Sequence, residues 1–203
     1  MITRFLLIGF AILCIIGINK PISQQITLEY EVLYARIDDI DSCIGKAKIW
    51  RNGNKMRIEY EEGNIILLTD DSIYVFSLSK REGYKLVGSD PIKLRQTIEY
   101  FAYGIIIPEM VNPQFVGSTI FQGFQCDILE SRFELPDGSV FRRREYHYKL
   151  PKTNISLPMK GIWWHNNEVK MIFEIKNLKI GIKIDPKLFK LPSGIKIIEK
   201  NLD

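Results

Sequence analysis

Nucleophilic or acid–base chemistry in this 203-residue chain would have to come from two His, three Cys and a few clustered acids. His147 lies in the basic-aromatic stretch Arg142-Arg143-Arg144-Glu145-Tyr146-His147-Tyr148-Lys149, and His165 stands beside Asn166-Asn167. Neither is near a Gly-x-Ser-x-Gly elbow or another catalytic signature, and a hydrolase needs a nucleophile set beside a base. Both His therefore read as ordinary surface residues, and no catalytic residue is assigned. Zinc normally takes four Cys, His or carboxylate ligands at close spacing, whereas Cys14, Cys43 and Cys126 are scattered singly. No metal and no cofactor is implied. Asp39 with Asp41, and Asp70-Asp71, are paired carboxylates at apparent turns. Asp is common there for its local hydrogen bonds, so these read as turn formers rather than as a calcium site.

The rest of the composition is that of one folded domain. Hydrophobic residues make up 46% of the chain and aromatic residues 11%, too many for a disordered or low-complexity sequence. The formal charge of +4 comes from 28 Lys and Arg against 24 Asp and Glu. Arg4 and Lys20 lie in the first 23 residues with no acid, so the remainder carries 26 cations against 24 anions, a net +2. A nucleic-acid binder would show a basic stripe interleaved with exposed aromatics. The densest basic run, Arg142-Arg143-Arg144, sits in a strand-like stretch, where consecutive residues point to opposite faces and cannot form one patch. No nucleic-acid partner is expected.

Arg4 precedes an uncharged apolar run, Phe5–Ile18, that ends at Asn19-Lys20-Pro21. About 14 apolar residues after a positive charge is signal-peptide length, short of the roughly 20 that span a bilayer as a helix. Residues 1–23 are read as a signal peptide or N-terminal anchor, with lipidation at Cys14 as a further alternative, and 24–203 as a single domain. The chain is expected to be exported, to the periplasm or cell envelope. In an oxidising compartment Cys43 and Cys126 could form a disulfide, closing a loop of about 80 residues for roughly 4.5 kcal/mol. The alternative, that both are small apolar core residues, stays open.

From Ile26 the hydrophobic period is two. Ile26, Leu28, Tyr30, Val32 and Tyr34 alternate with Thr27, Glu29 and Glu31, which describes a half-buried strand. Cys43–Trp50 meets Lys55–Tyr60 across Arg51-Asn52-Gly53-Asn54, where Asn-Gly signals a hairpin. Further strands are expected at Ile65–Thr69, Ile73–Ser77 and Gly83–Val87. Asp90-Pro91 then reads as an N-cap with Pro at the first helical position. Leu94, Ile98, Phe101 and Ala102 form an apolar stripe on a short helix that stops at Gly104. Strands resume at Phe115–Ile120, Phe124–Phe133, Val140–Lys149, Ser156–His165, Glu168–Ile175 and Leu178–Ile184. About eleven strands against one helix predict a mainly β protein: a strongly curved antiparallel sheet, an unclosed β-barrel, with a short helical lid.

The order of these pieces resembles the LolA/LolB-like family of outer-membrane lipoprotein-sorting proteins. The resemblance is carried by Lys48-Ile49-Trp50-Arg51-Asn52-Gly53-Asn54-Lys55-Met56-Arg57-Ile58-Glu59, by Gly117-Ser118-Thr119-Ile120 with Gly123-Phe124-Gln125-Cys126, by Leu157-Pro158-Met159-Lys160, and by Asp185-Pro186-Lys187-Leu188-Phe189-Lys190-Leu191-Pro192-Ser193-Gly194. It covers the chain from about Ile26 to Ile197, and implies an unclosed β-barrel whose concave apolar face holds acyl chains under a helical lid. No catalytic residue comes with it.

The expectation is a non-enzymatic envelope protein that binds lipid or the acyl moiety of lipoproteins, for transport or sensing, with envelope membrane proteins as further partners. Leu94, Ile98 and Phe101 would roof an apolar cavity floored by Met56, Ile58, Tyr60, Met171 and Phe173, because one short helix is available to cover a very large sheet. The alternative is an interaction or structural module of the same fold with a packed core. Of the adjacent pair Trp163-Trp164, one side chain is expected in the core and the other on the opposite face.

Overall fold

The computed structural model describes residues 26–37, 43–69, 72–87, 110, 112–134, 136–151, 153 and 155–201. The apolar N-terminal run, the acids Asp39, Asp41, Asp70 and Asp71, and the expected lid helix with Leu94, Ile98 and Phe101 lie outside the described residues.

The protein is mainly β, a single curved, unclosed sheet of twelve strands. In chain order the strands are β1 (Thr27–Arg36), β2 (Cys43–Asn52), β3 (Lys55–Tyr60), β4 (Asn64–Leu68), β5 (Ile73–Ser77), β6 (Glu82–Val87), β7 (Gln114–Phe121), β8 (Phe124–Glu134), β9 (Val140–Lys149), β10 (Ser156–His165), β11 (Glu168–Ile180) and β12 (Lys196–Asn201). Across the sheet they run β12-β6-β5-β4-β3-β2-β1-β11-β10-β9-β8-β7. Two meanders, β1 to β6 and β7 to β11, are thus joined by the pairing of β1 with β11. The curvature brings the β7–β8 turn over β11, where Gln122 Nε2 donates to the Ile175 carbonyl at 2.9 Å.

Turn chemistry fixes the registers. The hairpin expected at Asn52-Gly53 is present, but its two-residue loop is Gly53-Asn54, between the paired Asn52 and Lys55, with Gly53 at φ 58° in the first loop position. Asn166 and Asn167 both take positive φ, 49° and 68°, between the paired residues His165 and Glu168. That is a type I′ hairpin, whose twist matches the strands it joins.

Two features depart from the sequence reading. β11 continues through Leu178, where two strands were expected, because Asn177 at φ 53° absorbs a local irregularity without ending the pairing with β1. The strand expected over Leu178–Ile184 therefore ends at Ile180. The second departure is β12, which the sequence did not announce and which pairs parallel to β6 in an otherwise antiparallel sheet. Before it the chain makes a 3₁₀ turn, Pro186–Phe189, capped by Asp185, whose side chain accepts from the Lys187 N–H at 2.9 Å. Ile184 and Phe189 from this segment join Trp50, Ile65, Leu67 and Phe76 in a second apolar cluster. Buried Arg57 ties the segment to β3, since its Nη1 donates to the Leu188 carbonyl at 3.2 Å. Strands β2 to β5 are therefore buried on both faces.

Candidate functional site

The main core lies on the other face and can be followed row by row, because residues paired directly across antiparallel strands share a face. One row crosses five strands as Tyr30, Ile49, Ile58, Ile66 and Val75. Each side chain in it is apolar or aromatic. Two residues further along β1 the next row holds Val32, Ala47 and Tyr60, with Ile175 on the β11 side. Four residues along, a third row runs Tyr34, Phe173, Gly161, Glu145 and Leu129.

Of the residues expected to floor a cavity, Ile58, Tyr60, Met171 and Phe173 are buried in this one cluster, and half-buried Met56 packs against it. The structure thus brings all five together. Tyr30 is buried with them, and loss of water around its phenol raises its pKa to about 12 despite the opposing charge of Arg51. Phe173 has room only because position 161 is glycine, since a Cβ there would lie 2.2 Å from Phe173 Cε1.

The third row contains what the sequence reading missed. Glu145 is 1% exposed, yet it is charged and fully partnered. Arg143 Nε donates to its Oε1 at 3.1 Å, Trp163 Nε1 donates to the same oxygen at 3.1 Å, and His147 Nε2 lies 2.9 Å from Oε2. His147 Nδ1 in turn lies 3.1 Å from Ser156 Oγ at the surface. Arg143 also stacks over the Trp163 ring at 4.5 Å, and Trp163 meets Phe173 edge-on at 6.4 Å. Burial, the largest influence, pushes the Glu145 carboxyl upward, but the His147 hydrogen bond and the Arg143 charge outweigh it and hold the group below its ordinary value. His147 is thus part of a buried network rather than the ordinary surface residue expected. The signal was present in the i, i+2 spacing of Arg143, Glu145 and His147, which places all three on one strand face.

The tandem arginines separate as the strand period requires. Arg142 stacks on Trp164 at 4.2 Å, Arg143 goes to Glu145, and Arg144 pairs with Glu130. Trp163 packs against the core while Trp164 does not, which is the division expected of the tryptophan pair. His165 stacks on Phe141 with 4.5 Å between ring centroids. Cys126 is a buried free thiol, its pKa raised first by burial. The side chain of Cys43 lies outside the described residues.

A concavity of about 310 Å³ lies over β1, β2 and β11 and is lined by Glu29, Tyr30, Glu31, Lys48, Asn177, Leu178 and Lys179. Its lining is half apolar, and its charges, Glu29 and Glu31 against Lys48 and Lys179, cancel. Lys179 Nζ donates to Glu29 at 2.9 Å and Lys46 pairs with Glu31 at 3.0 Å, and these lysines hold both carboxyls below their ordinary values. Among the described residues no group of three or more His, Cys, Asp or Glu is placed to hold a metal ion. Among them, too, no helix is long and apolar enough to cross a membrane.

No protein-family model and no curated protein matches the sequence. Solved structures do match. MucB, in the complex structure of Pseudomonas aeruginosa MucA/MucB, is 12% identical, with 87% of this chain laid on 59% of that one at a TM-score of 0.54. The fold is shared with MucB. An uncharacterized conserved protein from Thermus thermophilus is 8% identical over 86% of this chain and 90% of its own, also at a TM-score of 0.54. The family that the sequence resembles is present among the matches as well. The LolA superfamily protein NE2245 from Nitrosomonas europaea is 12% identical, over 82% of this chain and 91% of its own, at a TM-score of 0.44. This chain spans less than two thirds of MucB, and at these identities the likeness is one of fold.

Proposed function

We propose that this chain is a non-enzymatic protein of the cell envelope that holds lipid, or the acyl part of a lipoprotein, against the apolar face of its sheet. The observation that carries the reading is the unbroken row Tyr30, Ile49, Ile58, Ile66 and Val75. Five strands spaced about 4.8 Å apart make an apolar row of about 19 Å, the length of an extended acyl chain, and because Tyr30, Ile49, Ile58 and Ile66 are buried in the main cluster, a bound chain would have to displace what packs on them. Each methylene moved from water onto such a surface contributes about 0.8 kcal/mol, so ten of them contribute about 8 kcal/mol without any chemistry. The expected stripe Leu94, Ile98 and Phe101 would close over that track as a lid. Export rests on Arg4 and the apolar run that follows it.

A second reading, an envelope module that binds another protein through a packed core domain, is favoured by the structure of MucB in complex with MucA. One experiment separates the two. Protein purified from cells expressing the whole chain is extracted with organic solvent, and the extract is compared by lipid mass spectrometry with that from Phe101→Asp, alongside thermal melts. A charge at the mouth of a lipid track weakens acyl binding and leaves the strands folded, whereas the same charge inside a packed core unfolds the domain. Lipid in the wild type that is reduced in a folded variant supports the carrier reading. No lipid in the wild type, with a collapsed melt in the variant, rejects it in favour of the second.

A further inference from the structure

The C-terminal chain crosses the β6 end of the sheet in two parts that are held very differently. The first part, Ile184 to Phe189, is seated. Both of those side chains are 7% exposed, Leu188 and Leu191 pack against the same apolar cluster, and Arg57 donates to the Leu188 carbonyl at 3.2 Å. The second part is β12, which lies on the surface. Of its six residues only Ile197 is not exposed. Its side chains reach β6 through Glu199, which accepts from Lys85 at 3.1 Å, and through Lys200, 5.8 Å over the Tyr84 ring. Surface pairs of this kind contribute little. What holds β12 is therefore mainly its parallel ladder with β6, the less stable kind of pairing.

We propose that β12 is a latch, which swings off β6 as one unit about Gly194 while the Ile184–Phe189 anchor stays seated. Gly194 stands between the two parts in the left-handed region, at φ 78°, a conformation that glycine adopts and leaves without a side-chain penalty. Beyond it no side chain of β12 is buried, so nothing from Lys196 to Asn201 stops the opening part-way. Segments with few buried apolar contacts and exposed backbone hydrogen bonds open independently of the domain that carries them.

The ladder defines what the latch covers. The Lys196 N–H donates to the Arg81 carbonyl at 2.9 Å. Bonding alternates along a parallel ladder, so Ile198 and Lys200 are the next donors of β12, and the Gly83, Lys85 and Val87 N–H groups of β6 donate back. On its other side β6 meets β5. There the Thr69 N–H to Ser72 carbonyl bond, at 2.9 Å, sets the alternation of β4 with β5 and leaves Ile73, Val75 and Ser77 to bond Leu86, Tyr84 and Glu82. Neighbouring amides of one strand, Tyr84 and Lys85, thus answer to different partners. With the latch closed the sheet ends on β12, and with it open the Gly83, Lys85 and Val87 N–H groups face water.

The test is amide hydrogen exchange of the full chain, followed residue by residue by NMR at urea concentrations well below the unfolding midpoint. Gly83, Lys85, Val87, Lys196, Ile198 and Lys200 are expected to share one protection factor, about tenfold or more below that of Tyr84 and Leu86 and indifferent to urea. Ile197→Ser should lower the shared protection further and leave the melt unchanged. Phe189→Ala, which hollows the anchor, should lower the melt. Protection graded from Asn201 inward would mark a fraying chain end and overturns the proposal. So does protection of those amides equal to that of Tyr84 and Leu86 with the same urea dependence. An Ile197→Ser melt lowered as far as that of Phe189→Ala overturns it too, because strand and anchor would then leave together.

Discussion

Two rows of the same sheet face solve the same problem with different materials. The row from Tyr30 to Val75 fills five strands with aliphatic and aromatic groups alone. The row from Tyr34 to Leu129 includes a carboxylate, Glu145, and surrounds it with Arg143, His147 and Trp163. The first row is stabilised by area removed from water and tolerates small changes of shape. The second depends on every donor staying in place, because a buried charge that loses its partners costs more than the pair contributed. One sheet thus carries a track of apolar matter beside an ionic anchor.

The sharpest way to break this contrast is Glu145→Ala. It strands the Arg143 guanidinium and the Trp163 N–H inside the sheet, and chemical denaturation should show a loss of about 3–5 kcal/mol. A loss below about 1 kcal/mol, the scale of an exposed pair, would mean that water reaches the network and that the two rows do not differ in kind. Gly161→Ala comes next, since its Cβ would collide with the Phe173 ring. The cost should be about 1–3 kcal/mol, and Gly161→Ala combined with Phe173→Leu should recover part of it, by the same measurement. In the apolar row, Ile58→Val should cost only about 1 kcal/mol, as removal of one buried methylene does.

pH sharpens the comparison further. The folded Glu145 carboxyl sits below its ordinary value of 4.5, so its contribution is complete above that value and is lost as pH falls through the lowered one. Melting from neutral pH down into the acid range below that value should therefore destabilise the wild type more steeply than Glu145→Gln, while Ile58→Val runs parallel to the wild type. Equal slopes for wild type and Glu145→Gln would remove the anchor from the account. The smallest effect concerns Cys126. Buried, with its thiol pKa raised, it should react with a thiol reagent far more slowly in native protein than in denaturant. If it is bonded to Cys43 instead, no reactive thiol from either residue appears in denaturant without a reductant.

The sequence by itself determined the strands of both meanders, because a period of two and left-handed turn residues such as Gly53, Asn166 and Asn167 act within a few positions of the chain. It likewise gathered Met56, Ile58, Tyr60, Met171 and Phe173 onto one apolar side, since alternation assigns a face before any partner strand is known. Only the tertiary structure decided what lies across from what. Parallel pairing of β12 with β6 joins segments more than a hundred residues apart with no hairpin between them, so no local signal announces it. In the sequence Glu145 is one acid among basic and aromatic neighbours of a strand-like stretch. The β9–β10 register set Gly161 beside it, the missing Cβ let Phe173 close over that spot, and Trp163 turned its N–H inward. Burial is a property of what surrounds a residue, and the chain supplies those surroundings only when its distant strands have met.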